Sequence, residues 1–120
     1  MRILLLFFAF FAVAGTAMAQ CEEKRTTLDI SQCLSGELKK ADAELNRTYE
    51  QTLKRVKASD AERLKKAQRA WMEYREAHCQ AEFELWDGGT GGQIALPQCK
   101  LSLTRRRITE IQETYNPEKH

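Results

Sequence analysis

The sequence lacks the local fingerprints of the common enzyme classes. It contains no P-loop, no HExxH helix, no nucleophile elbow and no glycine-rich dinucleotide fingerprint. It also contains no C-x-x-C pair, and the spacing of its cysteines does not form a zinc motif. These absences favour a protein that is not an enzyme and that needs neither a metal ion nor another cofactor.

Charge of one sign is also scarce. The 120 residues carry 19 Lys and Arg against 17 Asp and Glu, a net charge of +2. A nucleic-acid-binding domain of this size usually has a strongly basic surface. The charge balance therefore argues against a nucleic-acid partner and leaves a protein partner as the expectation.

Only one long apolar run occurs, and it lies at the N-terminus. Arg2 precedes a run from Ile3 to Val13, and small residues then lead to Ala17-Met18-Ala19. This order is typical of a secretory signal peptide, and the run is shorter than the ~20 residues of a membrane span. We expect cleavage after Ala19, which divides the chain into a signal peptide (1–19) and an exported, periplasmic domain (20–120).

Apolar spacing in the exported part predicts helices. A capping box at Thr26 begins a stripe at spacings of three and four that predicts a first helix over about 27–57. Ser59 restarts the pattern as a second N-cap and predicts a helix over about 60–85. The short link between them predicts that the two helices are antiparallel neighbours.

A glycine-rich segment should end the second helix. Four of the six glycines fall between Asp87 and Gly92, a density that predicts a loop over 87–98. A third stripe then predicts a helix over about 98–115, with Pro117 after its end. The fold class expected is all-α: a small antiparallel three-helix bundle with a Gly-rich loop between helices two and three.

Four cysteines in an exported domain of about 100 residues predict two disulfides. Folding the first two helices about residue 59 places Cys33 about six residues, or ~9 Å, from the level of Cys79, whereas a disulfide needs Cα atoms within ~7 Å. Folding the third helix back brings Cys99 near Cys33. We therefore favour Cys33–Cys99 with Cys21–Cys79, and the main alternative is Cys21–Cys33 with Cys79–Cys99.

The same alignment of levels places three polar residues together on packing faces. Asp42 should lie near Arg75, with Arg107 close to that level. A buried Asp–Arg pair with a second Arg more often fixes the register of helices than performs catalysis, because a catalytic carboxylate also needs a partner group and a cleft. We expect a structural polar layer, with a cell-wall enzyme or ligand-binding site at Asp42 and Arg75 as the weaker alternative.

Three ordered motifs resemble a known family. They are AD-x-x-LN-x-x-Y at 41–49, AQ-x-AW-x-x-YR-x-x-x-C at 67–79 and C-x-x-x-x-T-x-x-R at 99–107. Together they resemble the LprI-like lysozyme-inhibitor family of small exported bacterial domains. The resemblance implies the helical fold and, as a hypothesis, inhibition of lysozyme-type muramidases. The chain departs from the lipoprotein member of that family because Gln20, rather than a small residue, precedes Cys21.

Protein inhibitors of lysozyme usually plug the substrate cleft of a basic enzyme that carries two catalytic carboxylates. The predicted loop is the candidate plug here, with nearby acidic side chains to steer a basic partner and an aromatic anchor at its base. The candidate interface residues are Glu82, Glu84, Trp86, Asp87, Gly88, Gly89, Gly91 and Gly92. The alternative function is a periplasmic immunity or envelope-stress protein that binds a different partner.

Overall fold

The computed structural model describes residues 21–119, which form three long helices. These are α1 (Thr27–Arg55), α2 (Ala58–Glu84) and α3 (Thr90–Thr114), and a short 3₁₀ turn follows at Pro117–Lys119. No strand occurs in the described range. The predicted all-α bundle with two disulfides is confirmed, whereas the predicted signal peptide (1–19) lies outside the described residues.

The first helix begins where the capping box predicts. The Oγ1 atom of Thr26 accepts a hydrogen bond of 3.0 Å from the backbone N–H of Asp29, which satisfies one of the free donors of the first turn. The helix ends at Arg55, because Val56 adopts an extended conformation. Residues 56 and 57 then reverse the chain, and α2 begins at Ala58, so Ser59 lies inside the first turn rather than at the N-cap.

Two apolar clusters fix the directions of the helices. Near one end, Leu34 and Ala41 of α1 pack with Leu101 of α3. Nearer the other end, Leu45 of α1 packs with Ile108 of α3. Sequence order therefore runs the same way in both clusters, so α1 and α3 are parallel.

The second helix is antiparallel to the other two, as the short link requires. Its Leu64 joins the far cluster with Leu45 and Ile111. However, α1 makes its most extensive backbone contact with α3 and approaches the backbone of α2 closely at only a few positions. The neighbours in sequence, α1 and α2, are thus joined mainly through α3.

The disulfides join Cys21 to Cys33 and Cys79 to Cys99, with Cα–Cα distances of 5.5 and 5.6 Å. The favoured pairing, Cys33–Cys99 with Cys21–Cys79, is wrong, and the alternative pairing is correct. Both bonds lie at the end of the bundle where α2 finishes and where α1 and α3 begin. We call this the disulfide end.

The pairing was wrong because the turn between α2 and α3 was misplaced. α3 begins at Thr90 rather than near residue 98, so the two helices reverse direction near Gly88. Moving the reversal point toward the N-terminus shifts the facing residues along α2. As a result Cys79 and Cys99 lie at the same level, and both are buried.

The N-terminal cystine has a separate cause. The segment before α1 folds back on the helix, and Cys21 is almost completely buried in the cluster with Leu34 and Ala41. This position holds Cys21 beside Cys33, which packs against the same cluster. Cys33 therefore has its partner close by and does not face α2.

Candidate functional site

The connection between α2 and α3 is short. It comprises residues 85–89, and Asp87 and Gly88 have φ angles of 47° and 72°. The left-handed conformation suits glycine and is tolerated by aspartate. The predicted loop over 87–98 is therefore wrong in length, because residues 90–98 form the first turns of α3 and Pro97 lies inside the helix.

Glycines at the start of α3 admit aromatic rings from the end of α2. A Cβ atom on Gly91 would lie 2.3 Å from Cε3 and 2.5 Å from Cζ3 of Trp86, and one on Gly92 would lie 3.0 Å from the ring of Phe83. Carbon atoms in contact are normally 3.5–4.0 Å apart. The glycine run thus permits close packing of α2 on α3 and does not form a long flexible loop.

Large apolar side chains remain exposed at the disulfide end. Leu85 is 84% exposed, Trp86 is 51% exposed, and Leu28 at the start of α1 is 61% exposed. Trp86 therefore has one part of its ring against Gly91 and the rest open to solvent. Large aromatic side chains that are anchored yet accessible are typical of protein interfaces.

Acidic side chains surround the exposed apolar residues. Glu82 and Glu84 lie in the last turn of α2, which contains no basic residue, and Asp87 follows in the connection. Within residues 21–119 none of the three forms an ion pair within 4.0 Å. The C-terminus of a helix carries a partial negative charge, so acidic groups there are unfavourable by typically 0.3–1 kcal/mol each. The position of these acidic groups therefore lowers the stability of the folded protein.

A groove runs between α2 and α3 beside this acidic end. Its volume is about 470 Å³. Its α2 wall carries a row of residues spaced by four, and its α3 wall carries a second such row. The residues that define this α2–α3 groove are His78 and Glu82 on α2, Trp86 in the connection just after it, and Gln98, Ser102 and Arg106 on α3.

The groove brings together three side chains of types that bind metals, but only two usable donors. Ligand atoms of His78, Glu82 and Cys99 lie within 4.8 Å of one another. The sulfur of Cys99 is bonded to Cys79, so it is not a thiolate, the form in which cysteine binds metals. One imidazole and one carboxylate do not complete a zinc site, which usually needs three or four protein ligands.

Polar side chains from all three helices are hydrogen-bonded between the two apolar clusters. Nη1 of Arg75 donates hydrogen bonds of 2.5 Å to Oδ1 of Asp42 and 2.9 Å to Oγ1 of Thr104. Nε of Arg107 donates a 3.0 Å hydrogen bond to Oε1 of Gln68. The structure thus brings Asp42, Arg75 and Arg107 to one region, although Arg107 bonds to Gln68 rather than to Asp42.

The two arginines of the polar layer share a tryptophan. The guanidinium carbons of Arg75 and Arg107 lie 5.3 and 6.0 Å from the ring centroid of Trp71, which is within the range of cation–π attraction. Nη2 of Arg107 is buried without a hydrogen-bond partner. A cavity reaches Asp42, but its other lining residues all belong to α1, so Arg75 is not on its wall.

Most of the chain is similar to one known protein family. The sequence model of the family described as "Lysozyme inhibitor LprI" matches residues 17–111. The chain belongs to this family. An uncharacterized protein of Rhizobium meliloti (strain 1021) is 35% identical over 107 residues, which cover 78% of this chain and 76% of the relative. No solved structure shows a significant match.

The LprI motifs of this chain converge on the joint between α2 and α3. Three pairs link the second and third motifs across this joint, and each pair takes one residue from each motif. They are Cys79–Cys99, Arg75–Thr104 and Gln68–Arg107. The exposed acidic residues 82–87 lie outside all three motifs, although the family match at 17–111 includes them.

Sequence reasoning missed several residues at these sites. Gln68, Trp71 and Thr104 complete the polar layer, and each lies within the second or third LprI motif. Leu85 is exposed at the disulfide end. His78 lines the α2–α3 groove. The spacing of four from His78 through Glu82 to Trp86 was the available signal for a common face.

Within residues 21–119, no helix combines the length and the apolar character that a membrane span requires.

Proposed function

We propose that this LprI-family protein is a periplasmic, non-catalytic inhibitor of lysozyme-type muramidases, and that its disulfide end contacts the enzyme. The observation that carries the proposal is the unpaired acidic group at the C-terminus of α2. Glu82, Glu84 and Asp87 have no basic partner among the described residues and oppose the helix dipole. A basic protein partner would offset that cost.

The shape of the disulfide end supports a rigid contact. The connection has only five residues, and the Cys79–Cys99 bond joins α2 and α3 less than three helical turns from it. A contact surface that is already ordered loses little conformational entropy on binding. Trp86, half exposed and supported by Gly91, is the central anchor, and Leu85 extends the apolar area.

The proposal places the protein in the periplasm after cleavage following Ala19. Two cystines suit that oxidising compartment. Family membership supports an inhibitor rather than an enzyme, and the position of Arg75 between packed helices supports a structural role for the polar layer. The interface proposal therefore concerns the surface at Trp86 and its acidic neighbours alone.

The test is lysozyme activity on cell walls with and without purified, oxidised protein of residues 20–120. The informative variant is Glu82→Gln/Glu84→Gln/Asp87→Asn, and a second is Trp86→Ala. A deletion of residues 88–92 is less useful, because it would remove the first turn of α3.

The matched control removes three charges elsewhere. Glu44, Glu50 and Glu73 are exposed and unpaired among the described residues, so Glu44→Gln/Glu50→Gln/Glu73→Gln changes the net charge equally. We expect inhibition by the parent and the control, and at least a tenfold loss for the disulfide-end variants, with the loss smaller at high salt. Lack of inhibition by folded parent protein at tens of micromolar would reject lysozyme and favour another envelope partner, such as that of an immunity or stress protein.

A further inference from the structure

A carboxylate in the α2–α3 groove lacks a partner. Glu82 is partly buried, and within residues 21–119 no hydrogen bond or ion pair reaches its side-chain carboxylate. A ring nitrogen of His78 lies within 4.8 Å of the carboxylate. Partial burial removes water from a carboxylate, and this loss favours a cationic partner that restores its hydrogen bonds.

The surroundings of Glu82 select the type of cation. Trp86 lies four residues further along the chain, in the connection that follows α2, and is half exposed. One edge of its ring packs against Gly91, about half of the residue stays exposed, and Trp86 lines the same groove as Glu82. A planar guanidinium can stack on an aromatic ring and donate two hydrogen bonds to a carboxylate, whereas the compact, strongly hydrated ammonium group of lysine does this less well.

The opposite wall suits a peptide backbone. Gln98, Ser102 and Arg106 of α3 line the groove and offer hydrogen-bond donors. Arg106 forms no ion pair with Glu82 or with any other acid of the described range within 4.0 Å. Its guanidinium is therefore available to carbonyl oxygens of a bound segment while Glu82 holds a cation.

We propose that the α2–α3 groove is a receptor for an arginine side chain presented by a protein partner. The guanidinium lies between the carboxylate of Glu82 and the indole of Trp86. The α3 wall donates hydrogen bonds to the backbone that carries the arginine. This site rests on the proposed function for the identity of its partner, a basic muramidase, but its ligand chemistry can be tested separately.

The first experiment uses nuclear magnetic resonance and a small probe. The oxidised protein is titrated with acetyl-Gly-Arg-Gly-amide and with the same peptide containing citrulline, which keeps the shape and loses the charge. We expect the indole N–H signal of Trp86 and the ring signals of His78 to shift with arginine only. The indole signal of Trp71, which lies in the polar layer, serves as the internal control.

The second arm uses Glu82→Gln with Glu73→Gln as its match. Glu73 lies nine residues earlier on the same helix, so it faces the opposite side and its replacement changes the charge equally. We expect about tenfold weaker binding of the arginine peptide for Glu82→Gln, as for loss of a hydrogen bond to a charged group, and no change for Glu73→Gln. Equal shifts with citrulline, or equal affinities for the two variants, would overturn the receptor.

The two proposals fail separately. If the parent inhibits lysozyme and the Glu82→Gln variant inhibits it equally strongly, the proposed arginine receptor is wrong, while the proposed inhibitor function stands. If the arginine peptide binds but lysozyme is unaffected, the receptor stands and the muramidase is wrong. Shifts at His78 and Trp86 with an N-acetylglucosamine oligomer, and none with arginine, would reject a protein ligand in favour of a glycan.

Discussion

Replacing Gly91 with alanine should displace Trp86 from the start of α3. The new Cβ atom would lie 2.3 and 2.5 Å from two carbons of the indole, about 1 Å inside normal contact distance. The backbone of Gly91 is held in the first turn of α3, and the indole is a side chain at the end of α2. The indole is therefore the group that moves, and it moves toward solvent.

The size of the effect follows from the burial of Trp86. A buried aromatic residue covers roughly 150–250 Å², and Trp86 is 51% exposed, so the packing that would be lost is about 100 Å². At about 25 cal/mol per Å² this is roughly 2.5 kcal/mol. Alanine regains up to about 1 kcal/mol of helix propensity over glycine. The net loss is then about 1.5 kcal/mol, or roughly 6–12 °C in Tm for a domain of this size.

Gly36→Ala is the matched control for this prediction. Gly36 also lies in a helix, and a Cβ atom there meets nothing within 4 Å. This variant should gain up to about 1 kcal/mol. Urea unfolding measures both free energies, and the fluorescence of Trp86 should shift to the red only in Gly91→Ala. If both variants gain stability equally, the packing of Trp86 on α3 contributes nothing and the reasoning is refuted.

Two further predictions concern the polar residues between the helices. Arg75→Met should lower the free energy of unfolding by about 2–3 kcal/mol. This is less than the ~3–5 kcal/mol expected for breaking a fully buried ion pair, because the Asp42 side chain is 40% exposed. Urea unfolding measures the change, and a value under about 1 kcal/mol would contradict the prediction. A hydrogen bond from Lys100, at 2.6 Å, and the charge of Arg75 hold the pKa of Glu76 below its usual value. Glu76 therefore adds stability above its unfolded-state pKa that is lost as the pH falls through its folded-state pKa. Glu76→Gln should be less stable than the parent at pH 7 and equal to it at acidic pH, and a difference independent of pH would exclude the ion pair as the cause.

Helical periodicity predicted the first two helices to within two or three residues at each end. It succeeded because their apolar stripes are uninterrupted and Thr26 provides a local capping signal. It failed at the start of α3, where Gly91, Gly92 and Pro97 all indicate a loop. The glycines fit the helix for a tertiary reason, because they admit the rings of Phe83 and Trp86. Pro97 also lies inside the helix, where it is buried.

The error at the start of α3 also led to the wrong partner for Cys99, whereas the Cys21–Cys33 bond depends on the segment before α1. Levels along antiparallel helices depend on where the chain reverses, and an error of about three residues in that point moves the facing position by about six. The correct reversal near Gly88 brings Cys79 and Cys99 together and leaves Cys33 for Cys21. The pairing of Asp42 with Arg75 was not affected, because it spans α1 and α2 and does not depend on the turn between α2 and α3.

The acidic end of α2 bears on function because the fold does not require it. The motif residues Arg75 and Cys79 are bonded across the joint and hold α2 to α3. Glu82 and Trp86, in contrast, leave an unpaired carboxylate and open aromatic surface beside the negative end of a helix. Both features cost stability in the isolated protein, and a cationic partner would recover that cost. A relative that keeps the joint but carries basic residues at these positions should therefore share the fold and bind a different partner.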